Sequence, residues 1–360
     1  MDIETKMTCV ERVGEEIITR EELRSLFETK THPVAYDGFE PSGLAHLPFA
    51  VYRAINIEDM LKAGIHFKLW IADWFAWINN KMNGDLEKIR RTGEYFIEVW
   101  KAAGIDTKKI EFIWASESMD KEYWKRVIHI AKNTTVARTT RCLTIMGRHE
   151  NEMKETAQYF YPMMQASDIF HLGADITQLG MDQRKVNMLA REVGPKLGLW
   201  KPIVVTHHTL MGLAGPQKPT GFDESKEKDI ELSSKMSKSK PNTCIFVHDS
   251  KEEIAKKISS AYCPEKTAEH NPILDYNKHI IFRKFNEVKI ERPKKFGGDI
   301  SFASYNEMEK VFVDGSLHPA DLKSSTAAHI DKLIKPIREH FEKGKAKELY
   351  EFVKKQEVTR

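Results

Sequence analysis

Residues 34–64 read VAYDGFEPSGLAHLPFAVYRAINIEDMLKAG. Val34 to Phe39 has the length and the Val, Tyr and Phe content of a strand. Leu47 to Lys62 has the length of a helix and stops at Gly64, a residue suited to the left-handed conformation that ends helices. The turn between them is Pro41-Ser42-Gly43-Leu44-Ala45-His46. Its small residues let the backbone approach an anion closely, and the helix N-terminus behind it adds a positive dipole. His46 stands at the helix start, on the carboxyl side of the strand, where open α/β sheets bind ligands. Taken alone, such a histidine is more often a cap or a packed surface residue.

Working outward, the alternation recurs. Further strands are expected at His66 to Asp73, Ile110 to Ala115 and Pro202 to Thr206. Helices are expected at Asp85 to Ala103 and Met181 to Leu197, ending at Gly104 and Gly198. Strand and helix in turn imply a parallel sheet with helices on its faces. Thr19 with Glu22 and Ser250 with Glu253 fit the capping box. Residues 212–234 change to Gly, Pro, Ser and charge, the composition of a mobile surface loop. Beyond Ser250 the pattern is mainly helical, clearest at Ser250 to Ala261 and Pro319 to Tyr350. A boundary near Asp249 therefore divides an α/β part, residues 1–249, from a mainly α-helical part, residues 250–360.

At 360 residues the chain exceeds what one core usually serves, in keeping with two domains. Hydrophobic residues at 41% and charged residues at 30% are ordinary for a globular protein. No uncharged apolar run is long enough to span a bilayer, and Met1 to Glu16 lacks the apolar core of a signal peptide, so a cytoplasmic protein without membrane contact is expected. The 56 basic residues barely exceed the 53 acidic ones, so any nucleic-acid contact must come from local patches. Cys9, Cys142, Cys244 and Cys263 stand singly, as reduced thiols would, and no protein-bound metal is expected. The adjacent His207 and His208 point in different directions on any regular element, which argues against a shared ion.

Lys235-Met236-Ser237-Lys238-Ser239 follows the loop. Two lysines three positions apart place two ammonium groups near one point, suited to a triphosphate whose charge shifts as pyrophosphate leaves. A solvated basic turn is the alternative for this motif alone. The turn ending at His46 and this motif together resemble the two signatures of class I aminoacyl-tRNA synthetases. That likeness implies a clamp on ATP, with His46, Lys235 and Lys238 catalytic and without a covalent enzyme intermediate. The family usually has a small residue and then a polar one where this chain has Pro48-Phe49; Pro48 suits a first helical turn.

Tyr161-Pro162-Met163-Met164-Gln165-Ala166-Ser167-Asp168 has the spacing of one helix, on which Tyr161, Gln165 and Asp168 share a face. That stripe is either a solvated face or, given the apolar bulk around it, the wall of a pocket. With Tyr36 and Gly180-Met181-Asp182-Gln183-Arg184-Lys185, the segment resembles archaeal and eukaryotic tyrosyl-tRNA synthetases. The likeness runs from about Glu22 to Phe341. It implies a Rossmann-like catalytic domain followed by an α-helical anticodon-binding domain, a homodimer, and L-tyrosine, ATP with Mg2+, and tRNA(Tyr) as substrates and partners. Tyr36 and Asp168 would bind the phenol; Tyr161, Gln165 and Gln183 would hold the amino group and carboxylate. Glu40, Gly43, His46, Gly180, Asp182, Met236 and Lys238 would contact ATP, with Gly180 and Asp182 at the ribose. Arg184 and Lys185, and by weaker likeness Arg138 and Arg141, would meet the acceptor stem; on their own these four read as a solvated positive face. Arg292 to Asp299 and His318 to Lys323 resemble the anticodon reader, with Phe296 and His318 sandwiching a base and Asp321 reading it. Tryptophanyl-tRNA synthetase is the close rival, disfavoured because a phenol-sized polar contact is wasted on an indole. A non-catalytic RNA-binding relative is the distant one.

Overall fold

The computed structural model describes residues 1–356, the side chain of Phe296 excepted; the base-stacking role expected of Phe296 therefore lies outside the described residues. Strands β1 (Glu16–Ile18), β2 (Val34–Phe39), β3 (His66–Ile71), β4 (Ile110–Trp114), β5 (Ile176–Thr177) and β6 (Ile203–Thr206) form one sheet in the order β1-β6-β5-β2-β3-β4. All neighbours are parallel except β1, which runs antiparallel along the edge of β6. The fold is α/β and Rossmann-like, because the connections after β2 and after β4 build outward on opposite sides of β2. Strands that leave in opposite directions open a crevice at their carboxyl ends.

Two strands have no counterpart in the sequence reading. β1 has 3 residues and β5 has 2, too few for a period-two pattern. β3 stops short of Asp73, because the Asp73 carboxylate turns back to accept from the amides of Trp74 and Ser116 at 2.9 Å and opens the short helix Asp73–Ile78. The helix expected from Met181 is interrupted; its regular part is Arg184–Val193, and Gly194-Pro195 ends it. The helix expected from Pro319 to Tyr350 is two, Pro319–His340 and Gly344–Lys354. Residues 212–234 are not uniformly irregular. Lys226–Ser234 is a helix, capped by Ser225, and its buried Asp229 accepts from the amides of Gly221 and Phe222 at 2.8 and 2.9 Å, folding the loop back on itself.

The turn after β2 is held from several sides. Pro48 begins a π-helical segment, Pro48–Tyr52, where its missing amide costs nothing, and Arg53–Lys62 continues as α-helix. The helix Leu86–Ala102 covers β3 and β4, its buried Trp100 donating to the Phe49 carbonyl at 3.0 Å and stacking on Phe49 with centroids 4.6 Å apart. One apolar cluster continues from Met7 and Val10 through Phe49 and Trp100 to Ile254, Ile330 and Val353. Ser250 and Glu253 form the capping box of the helix Lys251–Ser259. A small antiparallel hairpin, β7 (Val288–Ile290) and β8 (Ile300–Phe302), lies among the later helices. Among the described residues no helix is long and apolar enough to cross a membrane.

Gly93 sets how closely Leu86–Ala102 approaches the sheet: a Cβ there would stand 2.4 Å from the Trp114 ring and 3.0 Å from Ile71. Gly93→Val should therefore destabilise the protein by about 2 kcal/mol or more, since the clash outweighs the gain in helix propensity. A denaturant midpoint equal to the parent's would contradict this packing.

Candidate active site

A cavity of about 370 Å³ opens at the carboxyl ends of β2, β3, β5 and β6. At one end Tyr36 and Asp168 meet. The Tyr36 hydroxyl is buried without a partner, while Asp168 accepts from the Tyr123 hydroxyl at 2.8 Å. Burial, then the nearby Asp168, raises the Tyr36 phenol well above its usual pKa; burial likewise pushes the Asp168 carboxyl up. This end is built for a polar group that can both donate and accept. Tyr123, absent from the sequence reading, orients Asp168 and also donates to the Met164 carbonyl at 3.0 Å.

The helix Tyr161–His171 is buried from Tyr161 through Phe170, so its polar stripe faces the cavity and its walls, not water. Tyr161 donates to Glu40 at 2.6 Å, and Gln165 donates to Gln183, 3.0 Å away, which in turn donates to the Ile145 carbonyl.

The other end is cationic. Lys235 pairs with Asp182 Oδ2 at 2.8 Å, while Lys238 donates to the Ser42 hydroxyl at 2.8 Å and its carbonyl at 3.2 Å. Each of the two ammonium groups therefore rests on an acceptor of its own. Burial lowers the Lys238 pKa to about 8, and Lys81 reinforces the effect. Lys81 is a cation the sequence reading missed. It follows the left-handed Asn80 in an Asn- and Gly-rich turn, lies 3.8 Å from Glu40, and shares the Lys238 environment. A lone lysine in a turn carries no signal, and only tertiary structure brings it here. Glu40 also accepts from Asn79, which Arg148 holds at 2.7 Å. His46 is half-buried and neutral, its pKa depressed by burial and then by Lys238 and Lys235, with its Nδ1 buried and unpartnered. Its segment pairs with residues 245–247, Leu47 donating to Ile245 and Val247 to Ala45. Gly43 takes φ +109°, which the turn requires, and does not itself line the cavity; Met236 does.

The floor is a second network missed from sequence. Arg53, 2% exposed, pairs with Asp37 at 2.7 Å, and its Nη1 also reaches His207 Nδ1 at 3.1 Å. Burial raises the Asp37 carboxyl to about 7 against the opposing pull of Arg53. An arginine amid Phe49-Ala50-Val51-Tyr52 and Ala54-Ile55 was the available signal.

The proposed RNA-facing residues lie elsewhere. Arg184 and Lys185 border, with Lys235, a small pocket beside the main cavity. Arg184 pairs with Glu16 at 2.6 Å, Lys185 donates to the Phe222 carbonyl at 2.7 Å, and Arg138 pairs with Glu192 at 2.7 Å, while Arg141 is exposed. His318 caps the helix Pro319–His340, and Asp321 sits in its first turn, away from the cavity lining. His207 and His208 do diverge. His208 points to Asp275 at 2.8 Å and to Glu15 at 3.3 Å; despite burial, these carboxylates raise its pKa well above the usual value. The His208 and His279 rings stack at 4.3 Å and 15°, and the Nε2 of each faces Asp275 Oδ1, at 2.8 and 3.7 Å.

The family described as tRNA synthetases class I (W and Y) matches residues 28–335. A cytoplasmic tyrosine–tRNA ligase of Arabidopsis thaliana is 44% identical over 364 residues, covering 100% of this chain and 90% of its own length. A tyrosine–tRNA ligase of Saccharolobus islandicus is 43% identical over 345 residues, 95% of each. The crystal structure of tyrosyl-tRNA synthetase from Pyrococcus horikoshii complexed with L-tyrosine superposes with a TM-score of 0.90 at 41% identity, covering 98% of this chain and 100% of that one.

If the cationic wall is made by Lys81 together with Lys235 and Lys238, Lys81→Met should weaken binding of inorganic pyrophosphate about tenfold, the worth of one charge-assisted contact. Unchanged affinity by titration calorimetry would remove Lys81 from the wall.

Proposed function

The chain belongs to the class I tRNA synthetases of the W and Y group, and on that premise we propose that it is a tyrosine–tRNA ligase, activating L-tyrosine with ATP and transferring it to the 3′ end of tRNA(Tyr). The observation that carries this reading is one cavity with an unpaired buried phenol and a carboxyl at one end and lysines at the other. A tyrosine side chain reaching Tyr36 and Asp168 satisfies both groups. Phenylalanine would leave them buried and unpaired, at a cost of about 1 to 3 kcal/mol for each group. An indole presents its N–H at a different distance, which supports tyrosine over tryptophan.

With tyrosine so placed, Tyr161, Gln165 and Gln183 stand where the amino group and carboxylate would lie. The carboxylate oxygen attacks the α-phosphorus of ATP, and the bond to pyrophosphate breaks. Lys238 and Lys235, with Lys81 beside them, neutralise the departing anion, and neutral His46 serves as a hydrogen-bond donor to the phosphate. Lys235 and Lys238 must exchange Asp182 and Ser42 for phosphate oxygens, so their contacts strengthen as charge develops. Magnesium finds no free pair of carboxylates on the phosphate side among the described residues: Glu40 is taken up by Tyr161 and Asn79, and Asp182 Oδ2 by Lys235. It would enter on the triphosphate, and no step is assigned to it.

For the second half-reaction we propose that Arg184 and Lys185, with Arg138 and Arg141, approach the acceptor stem, and that residues 250–360 form the anticodon-binding domain, with Phe296, His318 and Asp321 reading the first anticodon base. The exposure of Arg141 and His318 and the position of Asp321 at a helix start support this. A cytoplasmic homodimer completes the proposal, supported by the cytoplasmic plant relative and by exposed Ile128, Val136 and Phe160.

The deciding experiment is ATP–pyrophosphate exchange with tyrosine, tryptophan and phenylalanine; exchange driven by tryptophan and not tyrosine would overturn the assignment. Lys238→Ala should cut the activation rate at least about a hundredfold while leaving tyrosine affinity within about twofold. In the parent, kcat/KM for ATP should fall as pH rises through about 8, because the free enzyme's Lys238 then loses its proton. Asp321→Ala should lower kcat/KM for tRNA about tenfold or more and leave exchange intact. A matching loss in exchange would contradict the separate anticodon role.

A further inference from the structure

A second cavity, of about 680 Å³, carries His208 in its wall with Glu15, Glu231 and Asp275. The two nitrogens of the His208 ring are held differently. Nε2 lies 2.8 Å from Asp275 Oδ1, the length of a charge-assisted hydrogen bond, and the ring face stacks on His279. Nδ1 instead faces two carboxylates at longer range, Glu15 Oε2 at 3.3 Å and Glu231 Oε1 at 3.6 Å. One ligand atom from each of Glu15, His208 and Glu231 lies within 4.8 Å of the other two.

These separations suit ligands around a metal. Zinc–nitrogen and zinc–oxygen bonds of about 2.0–2.2 Å at tetrahedral angles set the ligand atoms about 3.3 Å apart. A direct N–H to carboxylate bond closes further, to about 2.7–2.9 Å, as Nε2 has done with Asp275. With Nε2–H given to Asp275, Nδ1 presents its lone pair, and an imidazole whose other nitrogen donates to a carboxylate is the usual form of a metal-bound histidine. The segments carrying the three groups are already fastened together. The Glu15 amide donates to the Thr206 carbonyl at 2.8 Å, beside the β1–β6 pairing. The Gly212 amide donates to the Ser234 carbonyl and the Met236 amide to the Leu210 carbonyl, also at 2.8 Å, fixing the end of the helix Lys226–Ser234 against the chain after His208. The Thr209 hydroxyl orients Glu231 at 3.1 Å, and the Met211 amide orients Asp275 at 2.9 Å. Positions 15, 208 and 231 form no spacing motif, so nothing local in the sequence signalled them.

We propose that Glu15, His208 Nδ1 and Glu231 form a binding site for a divalent transition metal of the zinc class, with Asp275 as the outer carboxylate that orients His208. One nitrogen and two carboxylates suit Zn2+ or Co2+ better than Mg2+ or Ca2+, which take all-oxygen shells. The metal joins the edge of the sheet to the helix that runs into Lys235 and so braces that segment from behind. Metal and proton compete for the Nδ1 lone pair, so uptake releases a proton. The inference is independent of the ligase reading.

The test is titration of the chelator-treated full chain with Zn2+ by calorimetry and with Co2+ by visible absorption, in the parent, Glu15→Gln, Glu231→Gln and Asp275→Asn. The parent should take up a single equivalent of either ion, and its Tm should rise with added Zn2+. Glu15→Gln and Glu231→Gln should each weaken Zn2+ binding about tenfold or more, because each loses a ligand. Asp275→Asn should weaken it about tenfold through the orientation of His208 alone. Glu15 is exposed, so its variant stays informative if another fails to fold. A parent that takes up neither ion overturns the inference. So do folded Glu15→Gln and Glu231→Gln proteins that bind Zn2+ as tightly as the parent, and so does a Co2+ spectrum abolished by excess Mg2+.

Discussion

The pairing of Arg53 with Asp37 beneath the sheet crevice is the constraint on which the site depends. A guanidinium and a carboxylate taken out of water cost several kcal/mol each, and their mutual attraction offsets that cost only in part. Here Asp37 also accepts from Gly38 and Arg53 Nη1 reaches the Gln178 carbonyl and His207, while Arg53 Nε and Nη2 stay buried without a partner. One side chain, projecting from the helix that follows β2, thereby joins the ends of β2, β5 and β6 into a floor. The crevice arises because the connections around β2 part in opposite directions; the ion pair keeps its walls at fixed separation.

A second set of contacts fastens the turn carrying His46 to distant parts of the chain. Residues 45–47 pair with residues 245–247. The Ala45 amide donates to the Tyr95 hydroxyl at 3.1 Å, and that hydroxyl lies 2.7 Å from His248 Nε2. Burial lowers the His248 pKa to about 3, so the ring is neutral and accepts from Tyr95. His248 stacks on Tyr350 of the last helix, with centroids 3.8 Å apart. The phosphate-side turn is thus packed by helices drawn from both halves of the sequence, which accounts for the single apolar cluster spanning both.

Electrostatics divide the cavity without an ion. One end has neutral, buried groups whose pKa values burial raises; the other gathers lysines whose pKa values burial lowers. Each of these shifts runs against charge, so an anion bound beside the lysines would raise their pKa values again. His46 and His207 stay neutral for the same reason.

Much of this was legible in the chain because it is local. The strand, small-residue turn and helix of residues 34–64, the stops at Gly64 and Gly104, both capping boxes and the one-face spacing of Tyr161, Gln165 and Asp168 are properties of neighbouring residues. The lysine motif was legible too, though not that Lys235 and Lys238 would take separate acceptors. What tertiary structure alone decided involves partners far apart in sequence. β1 and β5 are strands because β6 and β2 offer them hydrogen bonds, not because 3 and 2 residues have a pattern of their own. Lys81 joins Lys238, Tyr123 orients Asp168, and Arg53 dictates which nitrogen of His207 carries the proton. Such pairings exist only once the chain has closed on itself. Local spacing could place the polar groups on the right elements, but which of them finish buried, paired or left with a free donor is settled by what packs against them.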